Sequence, residues 1–252
     1  AEGEADGCRR VTLVSERKGE PVMKETWLVL SREARTEAGT LAGSIEIAFL
    51  LHSDKEAKKW TVQRVDASPL YAFFPTEKPT HLGFLVQGPY RTTPSRDNVP
   101  PLVAWNVKLV QETAALLLDV LVALRSRELL DVAALQCLPI ERDYFSEGSM
   151  FAPLFDSVLG ALASQPLLPR SVGGWTSARN ARLARTQELR ELLNSKQLAA
   201  MLDAPEEVHW LSGDITRDTA SKLRNYLLFE LNVSELTPEQ ILPRLTKQFL
   251  EA

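Results

Sequence analysis

The sequence predicts an α+β fold, on three observations. Residues 11–90 hold several short runs with strand character. A long stretch beginning near Trp105 then switches to helical spacing, and the rest is mainly helical with brief β-like interruptions. An antiparallel sheet with one apolar face needs a second layer, which the long helix supplies.

Val11 to Val14 and Met23 to Leu30, the latter containing Trp27-Leu28-Val29-Leu30, flank the charged turn Arg17-Lys18-Gly19-Glu20-Pro21 and predict a hairpin. Ser44 to Leu50 alternates polar and apolar residues, the pattern of a half-buried strand, with Lys55 to Lys59 as its exposed turn. Leu70 to Phe74 and His81 to Gln87 are further strands, separated by Pro75-Thr76-Glu77-Lys78-Pro79. After the prolines at 94, 100 and 101, Val107, Val110, Ala114, Leu117, Leu118, Leu121 and Leu124 mark one amphipathic helix from about Trp105 to Arg127. Leu129 to Leu138 predicts a shorter helix stopped by Pro139, and Phe151 to Ala163 another, with a loop at Tyr144 to Met150 between them.

Leu167-Leu168-Pro169 and Trp175 flank Val172-Gly173-Gly174 like a small hairpin, and Ser177 is placed to cap a following helix. Glu188 to Leu202 and Ala220 to Leu231 read as helices, and Val208 to Leu211 as a short strand. Thr237-Pro238-Glu239-Gln240 is a capping box with proline at the first helical position, opening a last helix to Phe249. The expected organisation is a tag remnant or linker at 1–10, an α+β domain at 11–150 and a mainly helical subdomain at 151–252. The first residues lack an initiator methionine and an apolar signal, so the chain reads as a segment of a longer protein.

Composition narrows the function. The 252 residues carry 29 Lys+Arg and 33 Asp+Glu, a net charge of −4, with 44% hydrophobic residues. Basic and acidic residues number 12 and 13 over 1–80, 6 and 8 over 81–150, and 11 and 12 over 151–252, so no third offers the cationic surface that wraps nucleic acid. No apolar stretch approaches the ~20 residues that cross a bilayer. Two cysteines, Cys8 and Cys137, exclude a disulfide scaffold or a four-Cys zinc site and suggest a reducing compartment. His52, His81 and His209 are isolated, with no H-x-x-x-H or C-x-x-C spacing. G-x-S-x-G, G-x-x-x-x-G-K-[ST] and G-x-G-x-x-G are all absent, although His209, Ser212 and Asp214 lie close enough in sequence for a hydrolytic triad to be tested. Arg179, Arg182, Arg185 and Arg190 form the densest basic run, placed on helical spacing as a solvated flank or a docking face for an acidic partner.

One loop stands apart. A strand ending at Gln87 delivers Gly88-Pro89-Tyr90-Arg91-Thr92-Thr93-Pro94-Ser95-Arg96-Asp97-Asn98, two arginines among hydroxyl and amide side chains with an aromatic anchor. Arginine pairs bidentately with phosphate, and Thr92, Thr93, Ser95 and Asn98 could support its orientation. The alternative is that Arg91 and Arg96 pair with Asp97, Glu77 or Glu112 and merely hold the loop.

Together with Phe74-Pro75-Thr76-Glu77, Trp105-Asn106 and Glu112-Thr113-Ala114, this loop resembles bacterial sacsin-like ATP-binding proteins. These are relatives of sacsin and, more remotely, of the ninety-kilodalton heat-shock chaperone and MutL, which share a GHKL nucleotide-binding domain. Gly88, Tyr90 and Arg96 match the wider pattern of strand, glycine, aromatic and distal arginine, whereas Arg91 and Pro94 match only the bacterial version. Leu168-Pro169 through Ala184-Arg185, and Trp210 to Thr216, are similar as well. The resemblance implies ATP and Mg for the parent protein. The N-box helix, D-x-G-x-G turn and Gly-rich lid that bind them do not occur in residues 1–252, so the segment itself is expected to bind no cofactor. It is comparable instead to the transducer region, whose basic residue reaches the γ-phosphate in a chaperone-like cycle. Arg96 and Arg91 are then the expected γ-phosphate contacts, and the N-terminal GHKL domain of the same chain and client proteins the expected partners. Neither nucleic acid nor membrane is expected, and the location is cytoplasmic. A second function is open, an interaction scaffold with structural arginines that binds partners through helices 187–202 and 220–250.

Overall fold

A computed structural model of the chain describes residues 2–3, 7–16, 19, 22–54, 59–95 and 97–245. The fold is α+β, with a mostly antiparallel sheet and several helices. It divides into two compact units, residues 1–158 and 159–252.

In the first unit, β1 (Glu2–Gly3), β2 (Cys8–Ser15), β3 (Met23–Arg35), β4 (Leu41–Asp54), β5 (Lys59–Gln63), β6 (Pro69–Ala72), β7 (Phe74–Pro79) and β8 (Leu85–Gln87) form one sheet. Its order is β1-β2-β3-β4-β8-β6-β7, with β5 beside β4, and among the described strands of this sheet only β6 and β8 pair in parallel. The fourteen-residue β4 is long enough to serve two neighbours on its far edge, β8 against Glu46–Ala48 and β5 against Leu50–Asp54. The register explains the alternation. Leu28 faces Phe49 and Leu30 faces Ile47 across β3 and β4, while Val86 extends the row beyond Ile47, and all five are buried. The intervening Trp27, Val29, Ala48 and Leu85 belong to the opposite face.

Helix α1 (Ala104–Ser126) packs on β3 and β4. Its buried stripe includes Asn106, Leu109, Val110, Thr113, Leu117, Val120, Leu121 and Leu124, and each buried leucine contributes roughly 1.5–3 kcal/mol. Val107, expected on this stripe, is exposed because the buried arc is centred on Leu109 and Thr113 instead. The Arg32 guanidinium meets Asp119 at 2.6 Å and fastens β3 to the helix.

Several sequence expectations are corrected. The Pro75–Pro79 separator is strand β7, which tolerates two prolines because it is the edge of the sheet. The helix expected at 129–138 shortens to α2 (Val132–Leu135), capped by Asp131, whose Oδ1 accepts from the Ala134 amide at 2.9 Å. Gly83 comes so close to this segment that an added Cβ would lie 2.6 Å from Cys137 Cα. The expected turn at Lys55–Lys59 falls outside the described residues except for Lys59, which begins β5.

Helix α3 (Ala152–Ser164) contains the division between units. Beyond it β9 (Leu168–Pro169) pairs with β10 (Trp175–Thr176), as the small hairpin predicts. Ser177 makes no capping bond and leads through a 3₁₀ turn into β11 (Ala181–Ala184), not into a helix. The single helix expected at 188–202 is two, α4 (Gln187–Leu192) and α5 (Ser195–Met201). Asn194 separates them by accepting the amides of Lys196 and Gln197, while Gln197 Oε1 accepts the Asn194 amide. Next come β12 (His209–Trp210), α6 (Ser221–Phe229), β13 (Glu235–Leu236) and α7 (Pro238–Ile241). Strand β11 lies between β12 and β13, parallel to both. Around it Leu189, Leu193, Leu198, Met201, Trp210 and Ile241 form a core, into which Trp210 Nε1 donates to the Leu193 carbonyl at 2.9 Å. The capping box at Thr237 is present, with Gln240 Oε1 accepting the Thr237 amide at 3.1 Å. A 3₁₀ turn follows at Leu242–Arg244, and the part of the expected last helix at 246–249 lies outside the described residues. Among the described residues no helix is long and apolar enough to cross a membrane.

Candidate functional site

The Gly88–Asn98 loop leaves β8 and runs to the start of α1, and buried contacts fix its base. Gly88 donates its amide to the Tyr71 carbonyl, and a Cβ at Gly88 would sit 2.8 Å from the Tyr90 ring, so glycine is needed for space. Tyr90 itself is buried. The Thr113 hydroxyl donates to the Leu109 carbonyl, which leaves Tyr90 Oη to donate to Thr113 Oγ1 at 3.0 Å. Burial pushes the Tyr90 phenol up to about 12.

Asn106 is the clamp. Its fully buried amide accepts the Arg91 backbone N–H at 2.8 Å and donates to the carbonyls of Arg91 and Pro100, each at 2.9 Å. Trp105 Nε1 adds a bond to the Pro89 carbonyl at 2.8 Å. Four hydrogen bonds from two α1 side chains thus hold the backbone at 89, 91 and 100.

The loop tip closes on itself. Thr93 Oγ1 donates to Asp97 Oδ1 at 2.5 Å and accepts the Asn98 amide, and the Thr93 amide donates to the Asn98 carbonyl. The Thr93 hydroxyl, followed by that of Ser95, holds the Asp97 carboxyl below its ordinary range. Thr93 and Ser95 therefore serve the loop, Asn98 contributes its backbone, and Thr92 is half-buried. Arg96 lies outside the described residues.

Arg91 is the exception. It is exposed and has no ion-pair partner among the described residues. Asp97 is engaged by Thr93, and Glu112 Oε1 faces Lys108 Nζ at 3.5 Å, so neither pairs with it. With Lys108, Trp105 and the turn at 36–38, Arg91 lines a cleft of about 330 Å³. Lys108 is committed there: it donates to the Arg35 carbonyl and stands 5.5 Å over the Trp105 ring. Sequence reading missed Lys108 and the 36–38 turn, because only the packing of α1 on the β3–β4 hairpin brings them to Arg91.

The other candidates dissolve or move. His209 Nδ1 bonds Ser195 Oγ at 2.9 Å, whereas Ser212 Oγ donates to its own near neighbour Asp214 at 3.1 Å, so no Ser-His-Asp relay forms. His81 stacks on Tyr144 with ring centroids 4.1 Å apart. No group of three or more potential metal ligands exists among the described residues. Cys8 and Cys137 are buried and not joined in a disulfide, and burial pushes the Cys137 thiol up to about 12. The arginine run divides: Arg179 lies in a 3₁₀ turn, Arg182 on β11 and Arg190 on α4, which ends the expected helical face.

Compared with protein-family models, with curated proteins and with solved structures, the chain matches none.

Proposed function

We propose that the chain is a non-catalytic middle segment of a GHKL-type ATPase, coupling the ATP state of an N-terminal domain to domain movement or client handling. One observation carries this reading: Arg91 offers an exposed guanidinium without an ion-pair partner among the described residues, on a backbone clamped by Asn106. A cation held this way is pre-organised to meet an anion presented by another domain. Arg91, with Arg96, contacts the γ-phosphate, and Gly88, Thr93 and Tyr90 keep the loop in shape. The nucleotide domain supplies ATP and Mg, and the location is cytoplasmic. A cation at this point stabilises charge on the transferring phosphoryl group, an effect that reaches roughly 10³–10⁵ in rate for arginine fingers.

The test is ATP turnover of the full-length protein carrying Arg91→Ala or Arg96→Ala, with the unfolding midpoint as control. Turnover falls about tenfold or more in at least one variant, at unchanged stability. Unchanged turnover in both selects the second reading, an interaction scaffold. That reading is favoured by the exposed Phe73 and Phe74 at the β6–β7 turn and by a groove of about 420 Å³ along Leu13, Trp27, Val29 and Leu85 on the sheet face opposite Phe49.

A further inference from the structure

The second unit contains a cleft of about 350 Å³ that the sequence does not announce. Its walls come from the end of β11 and the start of α4, from the turn at 215–217, from α6 and from β13. Among the described residues four arginines line it, Arg185, Arg190, Arg217 and Arg224, against one carboxylate, Glu235.

Both oxygens of Glu235 are already engaged. Its Oε1 accepts from Arg224 Nη2 at 2.5 Å and its Oε2 from Arg185 Nη1 at 3.3 Å. The Arg224 side chain is only 8% exposed, so Glu235 is the counter-charge that makes its burial tolerable. Arg190 and Arg217 remain without an ion pair among the described residues. Among the neighbouring acids Glu188 bonds Thr186, Glu239 bonds Thr237 and Asp214 accepts from Ser212, and Glu188 and Glu239 are exposed, where water screens their pull on Arg190 and Arg185.

The neutral lining groups are also spent. The Thr216 hydroxyl accepts the amides of Asp218 and Thr219, and the Gln187 amide donates to Glu191. What the cleft offers to a ligand is therefore guanidinium. The Arg190 fork lies over Gly213, where a Cβ would come 3.1 Å from Nη2, so the missing side chain makes room for it. Among the described residues no aromatic side chain lines the cleft to stack a base.

Planar forks with a surplus of positive charge match an anion rich in oxygens and recognise phosphate bidentately. We propose that this cleft binds a multiply charged phosphoryl group, the phosphate or pyrophosphate moiety of a small ligand, with Arg190 and Arg217 as its direct contacts and Arg185 and Arg224 as a rim held by Glu235. This site is independent of the Arg91 loop and of the coupling function.

Isothermal titration of the full chain at fixed ionic strength tests it, with inorganic phosphate, pyrophosphate, citrate and a phosphoserine peptide as probes. Pyrophosphate binds saturably at one site per chain, tighter than phosphate and citrate. The Arg190→Ala/Arg217→Ala double variant weakens it at least tenfold with an unchanged unfolding midpoint. Arg179→Ala, an exposed arginine outside the cleft, leaves it unchanged. Absence of saturable binding, equal binding by the double variant, citrate as tight as pyrophosphate, or preference for the peptide each overturns the proposal.

Discussion

The loop at 88–98 and the cleft at 184–235 both present arginine, by opposite routes. In the loop, residues adjacent in sequence carry the arginine together with hydroxyl and amide groups, and nearly all those polar groups turn inward: Thr93 closes on Asp97 and Asn98, while Asn106 and Trp105 hold the backbone. Among the described residues of the loop, Arg91 is the cation left facing outward. In the cleft, four arginines converge from β11's end, α4, the 215–217 turn and α6, and a single glutamate neutralises part of the charge. A contiguous polar motif chiefly stabilised itself, whereas scattered residues accumulated uncompensated charge. Local composition is thus a poor guide to electrostatic surplus, which depends on what each charge meets after folding.

The comparison breaks most readily at the buried pair. Arg224→Ala leaves the part-buried Glu235 with Arg185 alone and destabilises the protein by about 2–3 kcal/mol in urea unfolding, whereas Arg217→Ala stays within about 0.5 kcal/mol. Equal effects would mean that the cleft has no structural rim. Burial works to raise the Glu235 carboxyl, but Arg224 and then Arg185 outweigh it and hold it below the ordinary value. Its contribution is therefore complete above the unfolded-state pKa and is lost as pH falls through the folded one. A stability titration from pH 6 to 3 shows a smaller acid loss in Arg224→Ala than in the parent.

In the loop, the largest effect is alkaline. The Tyr90 phenol ionises near 10 when unfolded and near 12 when folded, so the unfolded chain releases its proton first and stability falls as pH rises between those values. The loss amounts to up to about 2.7 kcal/mol by pH 12, and Tyr90→Phe removes that share. Cys137 acts in the same direction from near 9 and contributes to the slope that remains in Tyr90→Phe. Asn106→Ala, which abandons one amide and two carbonyls, costs about 2 kcal/mol and speeds hydrogen exchange at the Arg91 amide. An unchanged exchange rate would remove Asn106 from its role as clamp. Smallest of all, Arg91→Ala changes stability by less than about 0.5 kcal/mol, because its side chain holds nothing among the described residues.

Much of the first unit was legible. Alternation at Ser44 to Leu50 reports a two-faced strand, and three- and four-residue steps from Val110 to Leu124 report a helix covering it. Strand β7 was hidden by Pro75 and Pro79, which read as breakers unless the strand is known to be an edge. The break at Asn194 had a signal, asparagine followed by glutamine three residues on, inside a run that otherwise reads as helix. Arg182 had none: its spacing from Arg179 and Arg185 suits a helix, and only the flanking β12 and β13 make that segment a strand.

The sequence alone determined the layer architecture, the order of the main elements and the anchoring character of the 88–98 loop. Burial periodicity and turn chemistry act over a few residues and are written locally. Tertiary structure alone decided which cations were neutralised. Pairing Arg224 and Arg185 with Glu235, and leaving Arg190, Arg217 and Arg91 without such a partner among the described residues, depends on distances between groups up to fifty residues apart. Coulomb interactions reward proximity in space, and proximity at that separation is set by packing.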